Sequence, residues 1–225
     1  MKTLRIALAG ILTVSALALA APASPAVAAP GETVTASLSD LITALPVHGE
    51  GPRDGYSREQ FRHWIDADRD GCHTRNEVLL HEAIVAPEVT GRCSITAGTG
   101  QWWSWYDETT QTDKEQVDID HMVPLGEAWD SGAAAWSATE RRDYANDLDD
   151  ERSLLAVRDS VNQSKADRDP GEWMPPAASA TCRYIADWVT VKTRWGLTAD
   201  PAEHAAITRI AGGCDDPLIT VTHAR

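Results

Sequence analysis

The segment Val117-Asp118-Ile119-Asp120-His121-Met122-Val123-Pro124-Leu125 decides how the centre of this chain of 225 residues folds. Residues 117 to 123 have the apolar character of a short strand, and this strand carries a carboxylate beside an imidazole. Successive strand residues point to opposite faces, so Asp120 and His121 can serve one site only where the strand ends or bends. Because histidine exchanges its proton near neutral pH, His121 is a candidate general base.

Three further polar side chains follow this strand. Asn146 stands in Ala145-Asn146-Asp147-Leu148, and Asn162 and Lys165 stand in Val161-Asn162-Gln163-Ser164-Lys165. Hydrolysis of a phosphodiester needs an activated water, a Lewis acid on the phosphate and stabilisation of the leaving oxygen. Carboxylate and amide oxygens suit a hard divalent cation, and an ammonium group suits a phosphate. The set predicts a one-metal phosphodiesterase.

At these residues the sequence resembles the HNH (ββα-metal) endonuclease superfamily. It is most similar to the secreted actinobacterial branch, which is related to the C-terminal domain of GmrSD-type restriction enzymes. The resemblance covers residues 117 to 176 and extends more weakly to residues 71 to 79 and to the tail between Cys182 and Cys214. It is carried by residues 118–125, Ala128-Trp129-Asp130-Ser131-Gly132-Ala133, residues 145–148, Asn162-Gln163-Ser164-Lys165-Ala166-Asp167-Arg168-Asp169-Pro170 and Glu172-Trp173-Met174-Pro175-Pro176.

The resemblance implies a role for each matching residue. His121 would be the general base, Asp120 a metal ligand, and Asn162 the second metal ligand, at the place where many members have a histidine. Asn146 would steady a loop and orient the base, and Lys165 would contact the phosphate or the leaving group. Asparagine in place of the last histidine favours Mg²⁺ or Mn²⁺ over zinc. Each residue also has a simpler reading: a structural histidine, a helix cap at Asn162, a turn at Asn146 and a solvated Lys165.

The fold that the resemblance implies is α+β. A ββα-metal core would be embedded in a mostly helical, disulfide-stapled single domain, with residues 129 to 144 inserted between its two strands. We expect a signal peptide at residues 1–28, a lead-in segment at 29–54 and a nuclease domain at 55–225, with its core at 117–176. Within the lead-in, Leu38, Leu41, Ile42 and Leu45 are spaced as in a short amphipathic helix. A capping box at Ser57-Arg58-Glu59-Gln60 predicts a helix that carries Phe61, Trp64 and Ile65.

A second motif lies upstream of the strand. Asp66-Ala67-Asp68-Arg69-Asp70-Gly71, followed after five residues by Glu77, fits the EF-hand calcium loop. Carboxylates at Asp66, Asp68, Asp70 and Glu77 would bind a structural Ca²⁺. His73 and Cys72 depart from the pattern, and a solvated acidic turn is the alternative. The motif also permits a different function, an extracellular calcium-binding module on an inactive nuclease scaffold.

The beginning of the chain predicts export. Lys2 and Arg5 precede an apolar run from residue 6 to 21, and Ala26-Val27-Ala28 is a cleavage signal. The alternative, a membrane anchor, is disfavoured because prolines and no basic flank follow the run. We therefore expect a secreted, extracellular monomer that has no membrane contact after cleavage.

The four cysteines fit an exported chain, because an even number predicts two disulfides. They form no C-x-x-C pair, which argues against a zinc site. Three connectivities are open, and we favour Cys72–Cys93 with Cys182–Cys214, since each closes a local loop on its own side of the Asp-His segment.

The charge of the chain sets the main constraint on its substrate. The formal net charge is −14, and loss of Lys2 and Arg5 with the leader would make it −16. So acidic a chain does not bind nucleic acid tightly by overall charge alone. The expected substrate, DNA with RNA as the alternative, therefore needs a bound cation or local basic residues. Arg152, Arg158 and Arg168 could line a phosphate-binding face, or they could pair with the acidic residues beside them.

Overall fold

The structure, a computed structural model, describes residues 29–225, so the predicted signal peptide at residues 1–28 lies outside the described residues. The helices are α1 (Leu38–Ala44), α2 (Thr74–His81), α3 (Leu125–Asp130), α4 (Ala138–Tyr144), α5 (Asp159–Lys165), α6 (Thr181–Trp195) and α7 (Pro201–Ala211). The strands are β1 (Thr33–Ser37), β2 (Ala83–Val85), β3 (Val89–Thr90), β4 (Ser94–Ile95), β5 (Gln101–Ser104), β6 (Thr109–Gln111), β7 (Val117–His121), β8 (Leu154–Arg158) and β9 (Leu218–Thr222). The predicted α+β class is confirmed.

The strands form small antiparallel sheets, and the pair β7–β8 positions the candidate site. Asp120 lies opposite Leu155 and His121 lies opposite Leu154, and β8 leads directly into α5. The segment between the two strands contains α3 and α4.

Both faces of the β7–β8 pair are covered by apolar side chains. Val117 and Ile119 pack with Leu154 and Ala156 in one cluster, beneath α2. Leu155 and Val157 belong to the main cluster, which includes α6. Because strand side chains alternate between faces, Asp120 lies on the side opposite to Ile119, toward the main core. A carboxylate on a covered face has to find polar partners within the protein.

Helix α6 is the centre of the main core. Tyr184, Ile185, Trp188 and Val189 are fully buried along it. The helix ends at Gly196, whose φ of +62° is the left-handed conformation that glycine adopts without steric cost.

A buried ion-pair network joins α6 to two other helices. The Nζ atom of Lys192 lies 2.8 Å from a carboxylate oxygen of Glu127 in α3 and 2.6 Å from one of Glu203 in α7. These contacts fix the positions of three helices relative to one another.

The lead-in segment is part of this core. The predicted helix is present as α1, and Leu38, Leu41 and Ile42 are buried with the residues of α6. Strand β1 pairs with β9 over five residues, from Thr33 opposite Thr222 to Ser37 opposite Leu218.

The prediction of a helix after Ser57 is wrong. Only a 3₁₀ turn at Arg58–Gln60 forms, and the Ser57 side chain does not cap it. The Ser57 hydroxyl instead donates to Glu59, and the Gln60 amide donates to the carbonyl of Gly55. Further on, Trp64 adopts a φ of +58°, which cannot continue a right-handed helix.

Both favoured disulfides are present, Cys72–Cys93 and Cys182–Cys214. Within residues 29–225, none of the helices has the length and apolar character that a membrane span requires.

Candidate active site

Asp120 is held by a buried pair of donors. Its Oδ2 atom accepts from the Nζ of Lys165 at 2.5 Å and from the hydroxyl of Tyr106 at 2.6 Å. Its Oδ1 atom accepts no hydrogen bond from any of the residues 29–225, although only 4% of the residue is exposed. One oxygen of this carboxylate is therefore anchored, and the other is left for a ligand.

Lys165 is the internal counter-charge of this carboxylate. Its Nζ has no exposed surface and also donates to the carbonyls of His121 at 3.0 Å and Met122 at 2.8 Å. Burial lowers the pKa of Lys165 and raises the pKa of Asp120, and their mutual contact opposes both shifts. The ammonium group thus contacts three acceptors inside the protein, whereas the sequence predicts a contact with the phosphate or the leaving group.

His121 is fixed by a carbonyl and two aromatic rings. Its Nε2 lies 3.0 Å from the carbonyl oxygen of Ala145. The imidazole lies between Trp64 and Tyr144, with ring centroids 5.6 Å and 6.3 Å away and interplanar angles of 27° and 18°. A neutral ring that donates from Nε2 to this carbonyl has Nδ1 as its proton acceptor. Burial lowers the pKa of His121 to about 3, so the ring is neutral at pH 7.

Asn162 lies on α5, facing the same site. Its Nδ2 donates to Oδ2 of Asp118 at 3.2 Å, which leaves the amide oxygen free to accept or to bind a cation. Asn162 and the Asp120–His121 pair line one cavity of about 180 Å³. The structure thus brings three of the five residues predicted for the catalytic centre to one small cavity.

Asn146 lies behind the base rather than in this cavity. Its Oδ1 accepts from the amide of Ile65 at 3.1 Å and the hydroxyl of Thr74 at 2.8 Å. Its Nδ2 donates to the carbonyls of Arg62 and Arg142 at 2.8 and 2.7 Å. All four hydrogen-bonding positions of the amide are therefore occupied. Because Asn146 follows the residue whose carbonyl holds His121, its contacts fix the loop that orients the base.

Two residues that the sequence did not single out lie beside these side chains. Arg58 lines the cavity together with Asp167, whose carboxylate is paired with Arg53 at 3.1 Å. Trp64 covers one face of the His121 ring. Both residues lie in the stretch for which the sequence predicts a helix, and no motif in that stretch indicates a functional site.

The chain matches the model of a known protein family. A family model described as the C-terminal domain of GmrSD restriction endonucleases matches residues 97–210. This chain belongs to that family. The matched range of the GmrSD C-terminal domain contains Asp120, His121, Asn146, Asn162 and Lys165. Membership supports a nuclease-related function and a nucleic acid substrate.

A fungal relative extends the similarity over nearly the whole chain. An uncharacterized secreted protein of Arthroderma benhamiae is 39% identical over 204 residues, which cover 91% of this chain and 98% of the relative. No solved structure matches the chain. The secreted relative and the two disulfides are consistent with an extracellular location for this member of the GmrSD family.

Two of the three arginines considered as a phosphate-binding face are paired in this GmrSD-type domain. Arg152 lies 2.6 Å from Asp150, and Arg158 lies 3.4 Å from Asp107. Arg168 forms no ion pair within residues 29–225, and its Nε donates to the carbonyl of Lys165.

The acidic loop lies upstream of the range matched by the GmrSD family model. Oxygens of Asp66, Asp68 and Asp70 come within 4.8 Å of one another, and Glu77 is not in this group. The amide of Gly71 donates to Asp66 at 3.1 Å, as a tight acidic turn requires. Helix α2 follows the loop, but a 3₁₀ turn and irregular chain precede it, so the helix expected before a calcium loop is missing.

Proposed function

We propose that the chain is a secreted, monomeric, metal-dependent endonuclease of the HNH (ββα-metal) type, of the secreted actinobacterial branch. Its substrate would be DNA, with RNA as the alternative. The observation that carries the proposal is the single cavity lined by Asp120, His121 and Asn162 on a strand–strand–helix unit. Membership of the GmrSD family supports the same conclusion.

The residues present fit a hard divalent cation. Asp120 offers an oxygen that accepts no hydrogen bond from the described residues, and the Asn162 amide offers its oxygen because its nitrogen is bonded to Asp118. These two residues would hold Mg²⁺ or Mn²⁺, the ions that oxygen ligands favour. When bound, the cation would neutralise charge on the phosphate and on the leaving oxygen.

His121 supplies the base. Nδ1 of the neutral ring takes a proton from water, the water oxygen bonds to phosphorus, and the bond from phosphorus to the leaving oxygen breaks. The leaving oxygen departs with the electron pair of that bond and takes a proton from solvent, and the ring returns its proton to solvent. The contact of Nε2 with the Ala145 carbonyl and the rings of Trp64 and Tyr144 hold Nδ1 in one direction. Because the imidazole is already oriented in the folded protein, the reaction does not have to restrict its rotational freedom.

Lys165 and Asn146 act through other residues. Lys165 anchors Oδ2 of Asp120 and two carbonyls at the end of β7, so it positions a metal ligand. Asn146 positions the loop behind His121.

The decisive experiment is plasmid cleavage by the mature protein. With Mg²⁺ or Mn²⁺ we expect cleavage that EDTA abolishes, and His121→Ala should lower the rate by about 10²- to 10⁴-fold because the general base is lost. His81→Ala, which removes an exposed histidine of α2, is the matched control and should match the wild type. Full activity of His121→Ala would refute the assignment.

One observation favours a second function, a calcium-binding module on an inactive scaffold: the proximity of Asp66, Asp68 and Asp70. The same protein preparation distinguishes the two. Calorimetric binding of Ca²⁺ without any nuclease turnover would support the module, whereas turnover without Ca²⁺ binding would exclude it.

A further inference from the structure

Most of the positively charged side chains of the described residues have a partner within the protein. Many lie within ion-pair distance of a carboxylate: Arg53, Lys114, Arg142, Arg152, Arg158, Lys165, Arg183, Lys192, Arg194 and Arg225. Others donate to backbone carbonyls: Arg75, Arg92, Arg141 and Arg168. Among residues 29–225, side chains that do neither belong to Arg58, Arg62, Arg69 and Arg209.

Arg58 is the member of this last group that lines the cavity of the candidate active site. The two carboxylates of the cavity wall already have cationic partners, although Arg53 is shared with Asp130. Asp120 has Lys165 at 2.5 Å, and Asp167 has Arg53 at 3.1 Å. The charge of Arg58 is therefore available to a ligand.

The position of Arg58 determines which phosphate of the substrate it can contact. Asp120 and His121 are buried, whereas Arg58 is exposed on the 3₁₀ turn at the rim. A phosphate that reaches the base lies deep in the cavity. The rim of the cavity therefore faces the neighbouring part of the nucleic acid strand. A planar guanidinium binds phosphate oxygens through two parallel hydrogen bonds.

We propose that Arg58 binds the backbone phosphate next to the scissile one and so holds the nucleic acid strand across the cavity. This inference rests on the proposed nuclease function. In a chain of strongly negative net charge, an unpaired arginine at the site offsets local repulsion of the polyanionic substrate.

The test compares Arg58→Gln with Arg209→Gln, which removes the same charge from an exposed, unpaired arginine that lines different cavities. On an oligonucleotide, Arg58→Gln should lower kcat/KM about tenfold or more, mainly through KM, and reduce the slope of log KM against log salt by about one. Arg209→Gln should follow the wild type. Arg58→Lys should recover part of the loss, because lysine keeps the charge and loses the paired geometry.

A small substrate identifies the phosphate. Bis(p-nitrophenyl) phosphate has no flanking phosphate, so the loss in Arg58→Gln should be clearly smaller on this compound than on the oligonucleotide. Equal losses on both substrates, or the same kinetics in Arg58→Gln and Arg209→Gln, would overturn the inference. Because Arg58 has no side-chain partner among the described residues, we expect an unchanged melting temperature. If His121→Ala is inactive while Arg58→Gln equals the wild type, this inference fails and the proposed function stands.

Discussion

For single residues, the role of a charged group depends on which of its atoms are already bonded. The sequence assigns Asp120, His121, Asn162 and Lys165 to one site through their chemistry and through the resemblance to a nuclease family. It gives no measure of burial at Lys165, whose ammonium lies over the rings of Tyr106, Tyr184 and Trp188. A lysine that is expected to meet substrate therefore proves to be an internal partner of the carboxylate.

Two buried tyrosines provide a matched pair for testing this carboxylate. The hydroxyl of Tyr106 donates to Asp120, whereas the hydroxyl of Tyr184 has no partner in the described residues. Tyr106→Phe should lower the free energy of unfolding by about 1.5–3 kcal/mol, the range for a hydrogen bond to a charged group, and should reduce nuclease activity. Tyr184→Phe should be neutral or stabilising, since it removes an unsatisfied buried group. Urea unfolding of both variants measures the difference, and equal losses would contradict the proposed anchoring of Asp120.

For helices and strands, a local sequence signal predicts an element correctly when the side chains form the capping contacts that the signal implies. Asp200-Pro201-Ala202-Glu203 has the residues that favour a helix start, and in the structure Asp200 caps α7, Pro201 opens it and the capping box with Glu203 is formed. Ser57-Arg58-Glu59-Gln60 carries a similar signal, but its side chains bond elsewhere and the chain turns at Trp64. Such competition depends on contacts across the fold, which a short window of sequence does not contain.

The junction of α2 with β8 should make stability depend on pH. Glu82 follows α2 and accepts from the amide of Ala156 at 3.0 Å. Burial raises the pKa of Glu82 from 4.5 to about 7. The folded state thus keeps a proton that the unfolded chain releases above pH 4.5, so the stabilising contribution of this group is complete below pH 4.5 and is lost as the pH rises to about 7.

Glu82→Gln removes this titration and keeps an oxygen acceptor for Ala156. The fall in unfolding free energy between pH 5 and pH 8 should become smaller in the variant, by on the order of 2–3 kcal/mol, because one pKa unit corresponds to about 1.4 kcal/mol. Urea titrations at both pH values measure it. Other raised acids such as Glu203 titrate in both proteins and cancel in the comparison. Parallel pH profiles for the two proteins would rule out the buried, titrating Glu82.

Across the whole molecule, the candidate site is assembled from segments far apart in the chain. Asp120 and Asn162 come from the range that sequence motifs identify, whereas Arg58, Trp64 and Tyr106 come from upstream segments. Motifs mark residues that share a short segment, but long-range packing brings the others to them. This is why the fold class and the disulfides could be predicted, and why Asp120, His121 and Asn162 could be placed together as a candidate site, while Arg58 and Trp64 could not be added to it.

The disulfide of the C-terminal region should contribute substantially to stability. Cys182–Cys214 joins the start of α6 to the segment just after α7 across 32 positions. The double variant Cys182→Ser/Cys214→Ser should lose about 3–4 kcal/mol of unfolding free energy, since the bridge restricts the unfolded chain. Cys72→Ser/Cys93→Ser, which opens a separation of 21 positions, is the comparison and should lose slightly less. Unchanged chemical unfolding after reduction of the wild type would contradict this contribution.

The pairing of β1 with β9 also determines when the fold can be completed during synthesis of the chain. Thr35 and Thr220, whose hydroxyls lie 2.8 Å apart, are separated by 185 positions in the chain. The carbonyls of Thr220 and Thr222 also accept from Arg152 and Arg194 in the interior of the chain. A ribosome delivers residues one after another, so these contacts form only when nearly all of the chain has been synthesised. Until then the growing polypeptide lacks the strand pair that joins its two ends, so the proposed nuclease would reach its complete fold only at the end of synthesis.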